Sequence, residues 1–151
     1  MYAFAERLKA RSRKGWLRTR PLFQRYAPVA LADLVGIESE ISTGLPNDLR
    51  EWLLEVGYGD INENLSFRQE WFRPVEQGHL RGAIVFAQDG LGNFYAFSPA
   101  DESIIFFSRS APEYAILAPS FRSFVEQLER RDFKLNQWTD ALAMSPYSWT
   151  A

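Results

Sequence analysis

The 151-residue chain has no cysteine and one histidine, His79, and these shortages remove a good deal of chemistry. Without thiols there is no disulfide framework and no thiolate metal site, which suits a reducing, intracellular compartment. One histidine cannot fill a zinc shell unless carboxylates supply most of it, so neither a metal nor a cofactor is expected. A serine triad would need His79 as its base, but no Gly-x-Ser-x-Gly elbow is present to supply the nucleophile, and His79 reads as a loop residue in "QGHLRG". Long hydrophobic runs are also missing. No window approaches the ~18 apolar residues that span a bilayer. Glu6, Arg7, Lys9, Arg11, Arg13 and Lys14 interrupt what would be the apolar core of a signal peptide. The expectation is a cytoplasmic protein with no membrane partner.

What is present is the composition of one globular domain, 46% apolar and 24% charged, long enough to bury a core. The charge is divided unevenly. Residues 1–26 hold eight Lys/Arg against one acid, Glu6, which leaves nine bases against eighteen acids in residues 27–151. A basic arm, residues 1–26, therefore precedes an acidic domain, residues 27–151. The arm shows a short helical pattern through Lys14, a break at Gly15, and an aromatic, basic segment up to Pro28. It lacks any nucleic-acid motif, and no direct nucleic-acid contact is expected. Packing of Trp16, Leu22, Phe23 and Tyr26 onto the acidic body is the simpler reading.

In "VALADLVGIESEIST" the apolar residues Leu31, Leu34, Val35, Ile37 and Ile41 recur at helical spacing. "LPNDLREWLLEVGYGD" predicts a second helix, opened by Pro46 and faced by Leu49, Trp52, Leu53 and Val56, with Gly57 and Gly59 closing it. The period then changes. "NLSFRQEWFRPV" alternates loosely, with Leu65, Phe67 and Trp71 as inward candidates, and Pro74 limits its extension. "GAIVFAQ", "NFYAFS" and "ESIIFFS" are β-branched and aromatic runs at hairpin spacing, which predict an antiparallel meander. "LAPSFRSFVEQLERR" returns to helix, capped at Ser120 and faced by Phe121, Phe124, Val125 and Leu128. A further short helix is expected around Gln137 to Met144, and Trp138, Tyr147 and Trp149 are left between packing on the body and facing a partner. The sum is an α+β domain, an antiparallel sheet of about four to six strands with helices on one face.

The stretch "IVFAQDGLGNFYAF" holds the one loop with the look of a site. A phosphate cradle of the Walker type needs Gly-Lys-Ser/Thr at the start of a helix, whereas Gly92 leads into a strand. A calcium loop needs several oxygen ligands, and only Asp89 and Asn93 are offered. A turn between strands needs only glycines free to take positive φ. Loop carboxylates at Asp60, Glu63, Asp89, Asp101 and Glu102 leave open an acid and base pair converging on one cleft. Acidic loops on an acidic domain are more simply a partner-facing surface.

The order of these segments resembles the Smi/Knr-type family of the SUKH superfamily over about residues 30–130. The matches are Leu45, Pro46, Trp52 and Leu53 on a helix, Asp89, Gly90, Gly92, Asn93 and Tyr95 in the hairpin, and Ser120, Phe121 and Phe124 on the last helix. In place of the family's adjacent glycines the chain has Gly57-Tyr58-Gly59, and Asn93 replaces its second hairpin aspartate. The resemblance implies a SUKH-like α+β fold without catalytic activity. It also implies a protein-binding role, either as an immunity protein that neutralises a cognate toxin, often a nuclease, or as a regulatory scaffold of the cell-wall synthesis type. Candidate partner contacts are Asp60, Glu63, Asp89, Asn93, Asp101 and Glu102, with Tyr58 and Tyr95 as aromatic anchors.

Overall fold

The computed structural model describes residues 12–14 and 19–147, with side chains described from residue 22 onward. The Trp16 and Trp149 expectations, and the helical pattern before Ser12, lie outside the described residues. Ser12–Lys14, the end of that pattern, is a strand (β1) paired antiparallel with Thr19–Pro21 (β2).

Phe23–Ala27 (β3) opens the main sheet, and two helices follow, Leu31–Ile41 (α1) and Asn47–Glu55 (α2). Leu34, Ile37 and Ile41 carry the buried stripe of α1, whereas Leu31 and Val35 stay exposed. Glu38 ties the helices by pairing with Arg50 and by accepting from the Leu45 N–H at 2.8 Å. All four apolar residues assigned to the face of α2 are buried. Gly57 follows its end with φ +90°, while Gly59 sits inside the next strand rather than closing the helix.

That strand, Tyr58–Ile61 (β4), explains both the sheet's extra width and the fate of the arm. Phe23, Gln24 and Arg25 of β3 pair with Ile61, Asp60 and Gly59, so close that any Cβ at Gly59 would collide with the Gln24 carbonyl. Arg25 turns its guanidinium onto the open carbonyls of α2, donating to Val56 O at 2.8 Å and to Glu55 O at 3.2 Å. A cation at a helix C-terminus satisfies orphan acceptors and complements the dipole. Leu22 and Phe23 are buried as expected, and Tyr26 stays 45% exposed.

Leu65–Phe67 (β5) is followed by a 3-10 turn at Gln69–Trp71 and by Arg73–Pro74 (β6). This turn shifts the register, so that Phe72 rather than Trp71 becomes the buried residue. The meander follows as Ile84–Asp89 (β7), Phe94–Phe97 (β8), Ile104–Phe107 (β9) and Glu113–Ala118 (β10). Phe121–Arg130 (α3), Leu135–Asp140 (α4) and Ser145–Pro146 (β11) complete the described elements. Ser120 caps α3 through its Oγ, which accepts from the Ser123 N–H at 3.1 Å. Helix α4 begins two residues before the expected start and ends four before the expected end, because its inward pair is Leu135 and Trp138, at i and i+3.

The fold class is α+β as expected, but among the described residues the antiparallel sheet has nine strands instead of four to six, in the order β11-β10-β9-β8-β7-β5-β4-β3, with β6 beside β7. The surplus comes from two-residue strands and from β3, β4 and β10, whose sequences carry no clean alternation. Buried apolar side chains of α1 to α4 join one core with Phe67, Phe86, Tyr95 and Phe97 of the sheet. Alternation sends Val85, Ala96, Ile105 and Phe107 to the opposite face, helix-free among the described residues, where Tyr147 covers them. Tyr147 thus packs on the body. Among the described residues no helix is long and apolar enough to cross a membrane.

Candidate functional site

Three turns meet at one end of the sheet. Asp89 closes β7, and its Oδ1 accepts from the backbone N–H groups of Leu91 at 2.9 Å and Asn93 at 3.0 Å. Its Oδ2 accepts from Asn93 Nδ2 at 3.1 Å and from the Tyr95 hydroxyl at 2.9 Å. A carboxylate surrounded by donors organises a turn and is not arranged as a cation ligand. Among the described residues no cluster of three or more His, Asp or Glu could hold a metal ion. Of the two glycines only Gly92 takes positive φ, +83°. The Gly90 N–H donates to Asn64 O at 2.9 Å, joining this turn to the one after β4, and Asn93 Oδ1 accepts from the Arg109 N–H at 2.8 Å, joining it to the turn after β9. The resulting rim exposes Glu63, Leu91 and Arg109.

The eight expected contact residues separate accordingly. Glu63, Asp89 and Asn93 belong to this rim. Asp101 and Glu102 lie in the β8–β9 turn, at the opposite end of the strands, where Asp101 accepts from the N–H and Oγ of Ser103 at 3.0 and 2.7 Å. Those bonds, the backbone one first, hold its carboxyl below the usual aspartate value. The acids therefore do not converge on one cleft. Asp60 lies on the helix-free face and accepts from the hydroxyls of Tyr26 and Ser66. Tyr95, Asp89 and Tyr58 are 0%, 7% and 7% exposed, which corrects their placement as contacts: strand alternation turns the Tyr95 ring into the core with Phe97, Tyr58 joins the same core at the register shift where β4 begins, and Asp89 is consumed by its turn. Burial, then the charge of Asp89, pushes the Tyr95 hydroxyl far above its ordinary value.

Burial likewise pushes the Tyr58 hydroxyl up to about 12, with Asp33 and Glu70 acting in the same direction, and that hydroxyl has no hydrogen-bond partner among the described residues. Since 12 lies above the unfolded value of 10.0, the stability tied to the neutral ring is fully present below pH 10 and is lost as pH rises toward 12. Tyr58→Phe should therefore leave the protein as stable at pH 7, or more so by up to about 1 kcal/mol. It should also flatten the loss of stability between pH 10 and 12, as read from urea midpoints.

Sequence reasoning missed Arg109, and it missed Arg68, whose guanidinium lies 4.6 Å from the Tyr26 ring centre and 5.4 Å from that of Trp71. Recognising "EYAILA" as a strand would have set Arg109 in a hairpin turn beside Asn93.

The chain is thus an α+β domain whose polar loops build turns and leave exposed acids at both ends of its sheet. The chain belongs to the SMI1 / KNR4 family (SUKH-1), whose family model matches residues 28–127. Neither a curated protein nor a solved structure was matched.

Proposed function

We propose that the chain is a non-catalytic protein-binding domain that acts in the cytoplasm as an immunity protein, neutralising a cognate toxin by stoichiometric association. Family membership supports the binding role. The observation that carries the finer reading is charge: eighteen acids against nine bases in residues 27–151, with Glu63, Asp101 and Glu102 exposed at the two ends of the sheet. Enzymes that act on nucleic acids present basic clefts to phosphate, and an acidic inhibitor is both steered toward such a cleft and able to fill it. The contacts proposed are Glu63, Asp101 and Glu102, with Asp60 and Asn93 at their margins.

The test is association with a candidate toxin, sought first among the products of neighbouring genes. Glu63→Lys and the pair Asp101→Lys, Glu102→Lys, made separately, address the two ends. Reversal at the contacting end should slow association by roughly tenfold at low salt, and added salt should erase the difference. Unchanged kinetics in both variants would remove the acidic surface as the contact. A partner that is retained with its activity intact would point instead to the regulatory scaffold.

A further inference from the structure

The helix-free face of the sheet carries a cleft of 430 Å³, a size suited to a ligand or an inserted side chain. Val85, Phe94, Phe107 and Tyr147 give it an apolar lining, and four charged residues stand around it, Arg73, Arg109, Glu76 and Glu113. Arg73 lies over the Phe94 ring, 5.7 Å from its centre. Arg109 is fixed by its N–H bond to Asn93 and rests against Gly92. Among the described residues neither guanidinium has a carboxylate within ion-pair reach.

Arg109, tied to the β7–β8 turn, and Arg73, over Phe94, both bring their guanidinium groups to the β8 side of the cleft, while Glu113 stands in the same β9–β10 hairpin as Arg109 and Glu76 follows Arg73 out of β6. On a body with a twofold excess of acids, two unpaired arginines beside an apolar floor form a receptor for a carboxylate carried next to an apolar group.

We propose that this cleft docks an extended segment of the protein partner in which an apolar side chain enters between Phe94, Phe107 and Tyr147 while an adjacent carboxylate meets Arg73 and Arg109. This rests on the protein-binding reading above and names a surface for it.

The test uses the full chain and two blocked peptides, Gly-Asp-Phe-Gly and Gly-Asn-Phe-Gly, titrated by amide NMR. The acidic peptide should bind about fivefold more tightly and shift amides around Arg73, Val85, Phe94 and Arg109, and the preference should vanish in an Arg73→Gln, Arg109→Gln variant. Equal affinity, shifts elsewhere, or no binding at either peptide's solubility limit would overturn the proposal. So would 3-phenylpropionate binding as tightly as the acidic peptide, since the cleft would then be a small-acid site. A toxin neutralised equally by wild type and double variant would also overturn it while leaving the protein-binding reading intact. A toxin untouched by wild type would remove that reading, and the peptide titration would still decide the cleft.

Discussion

Asp89→Ala will destabilise the protein by about 3 kcal/mol, although the residue stands in a surface turn. The magnitude comes from what the carboxylate holds. Two backbone N–H groups, the Asn93 amide and the Tyr95 hydroxyl all donate to it, and a hydrogen bond to a charged acceptor contributes about 1.5–3 kcal/mol net when buried, less where water can replace it. Water can reach the turn amides once the side chain is gone, so those losses are partly recovered. It cannot readily reach the Tyr95 hydroxyl, whose residue is 0% exposed, and an orphaned buried donor bears the full desolvation cost. Urea unfolding of Asp89→Ala should show the loss. Tyr95→Phe in the same background should restore part of it by removing the orphan, and Leu91→Ala in the same turn should change stability by less than about 0.5 kcal/mol. A loss below 1 kcal/mol for Asp89→Ala would return the residue to the list of surface contacts.

Trp52→Ala should cost more, about 3–5 kcal/mol, which is a large share of the 5–15 kcal/mol of an ordinary domain. The indole is 0% exposed, and its ring centre lies 6.4 Å from that of Phe23, 5.6 Å from Phe67 and 5.7 Å from Phe121. It thus joins α2 to β3, β5 and α3, the elements that flank the largest part of the core. Calorimetry or denaturant midpoints measure the total. Hydrogen exchange localises it: the β3 amides that pair with β4 should lose protection first, because Phe23 holds that edge strand against Trp52. Trp52→Phe, which leaves a smaller void, should be markedly milder.

The legible parts of the fold were those with a strong local period. Phe121, Phe124, Val125 and Leu128 define α3 by spacing alone, and the β-branched and aromatic runs from Ile84 to Phe107, set at hairpin spacing, yield three strands in correct order. The missed parts depend on distant pairing. Nothing local in "FQRYA" shows that it will lie against Gly59, and the basic count of residues 1–26 conceals that Arg25 is a cap for a helix thirty residues away. At the site, carboxylates in loops were visible, but not whether each would face solvent or its own turn. Asp101 and Asp89 both sit in glycine- or serine-containing hairpins, yet only Asp89 has a buried tyrosine hydroxyl two strand positions further along the ladder to bind. The cleft with Arg73 and Arg109 was invisible because its walls come from segments some thirty-five residues apart that meet only across the sheet.

The most direct test of an immunity role is to titrate a candidate toxin, taken from a neighbouring gene where one encodes it, at a concentration well above the dissociation constant, with the purified chain and to follow residual toxin activity. Stoichiometric neutralisation predicts a linear fall to baseline at an equimolar ratio, with the toxin recovered intact from the complex. Full toxin activity in the presence of excess protein would contradict it.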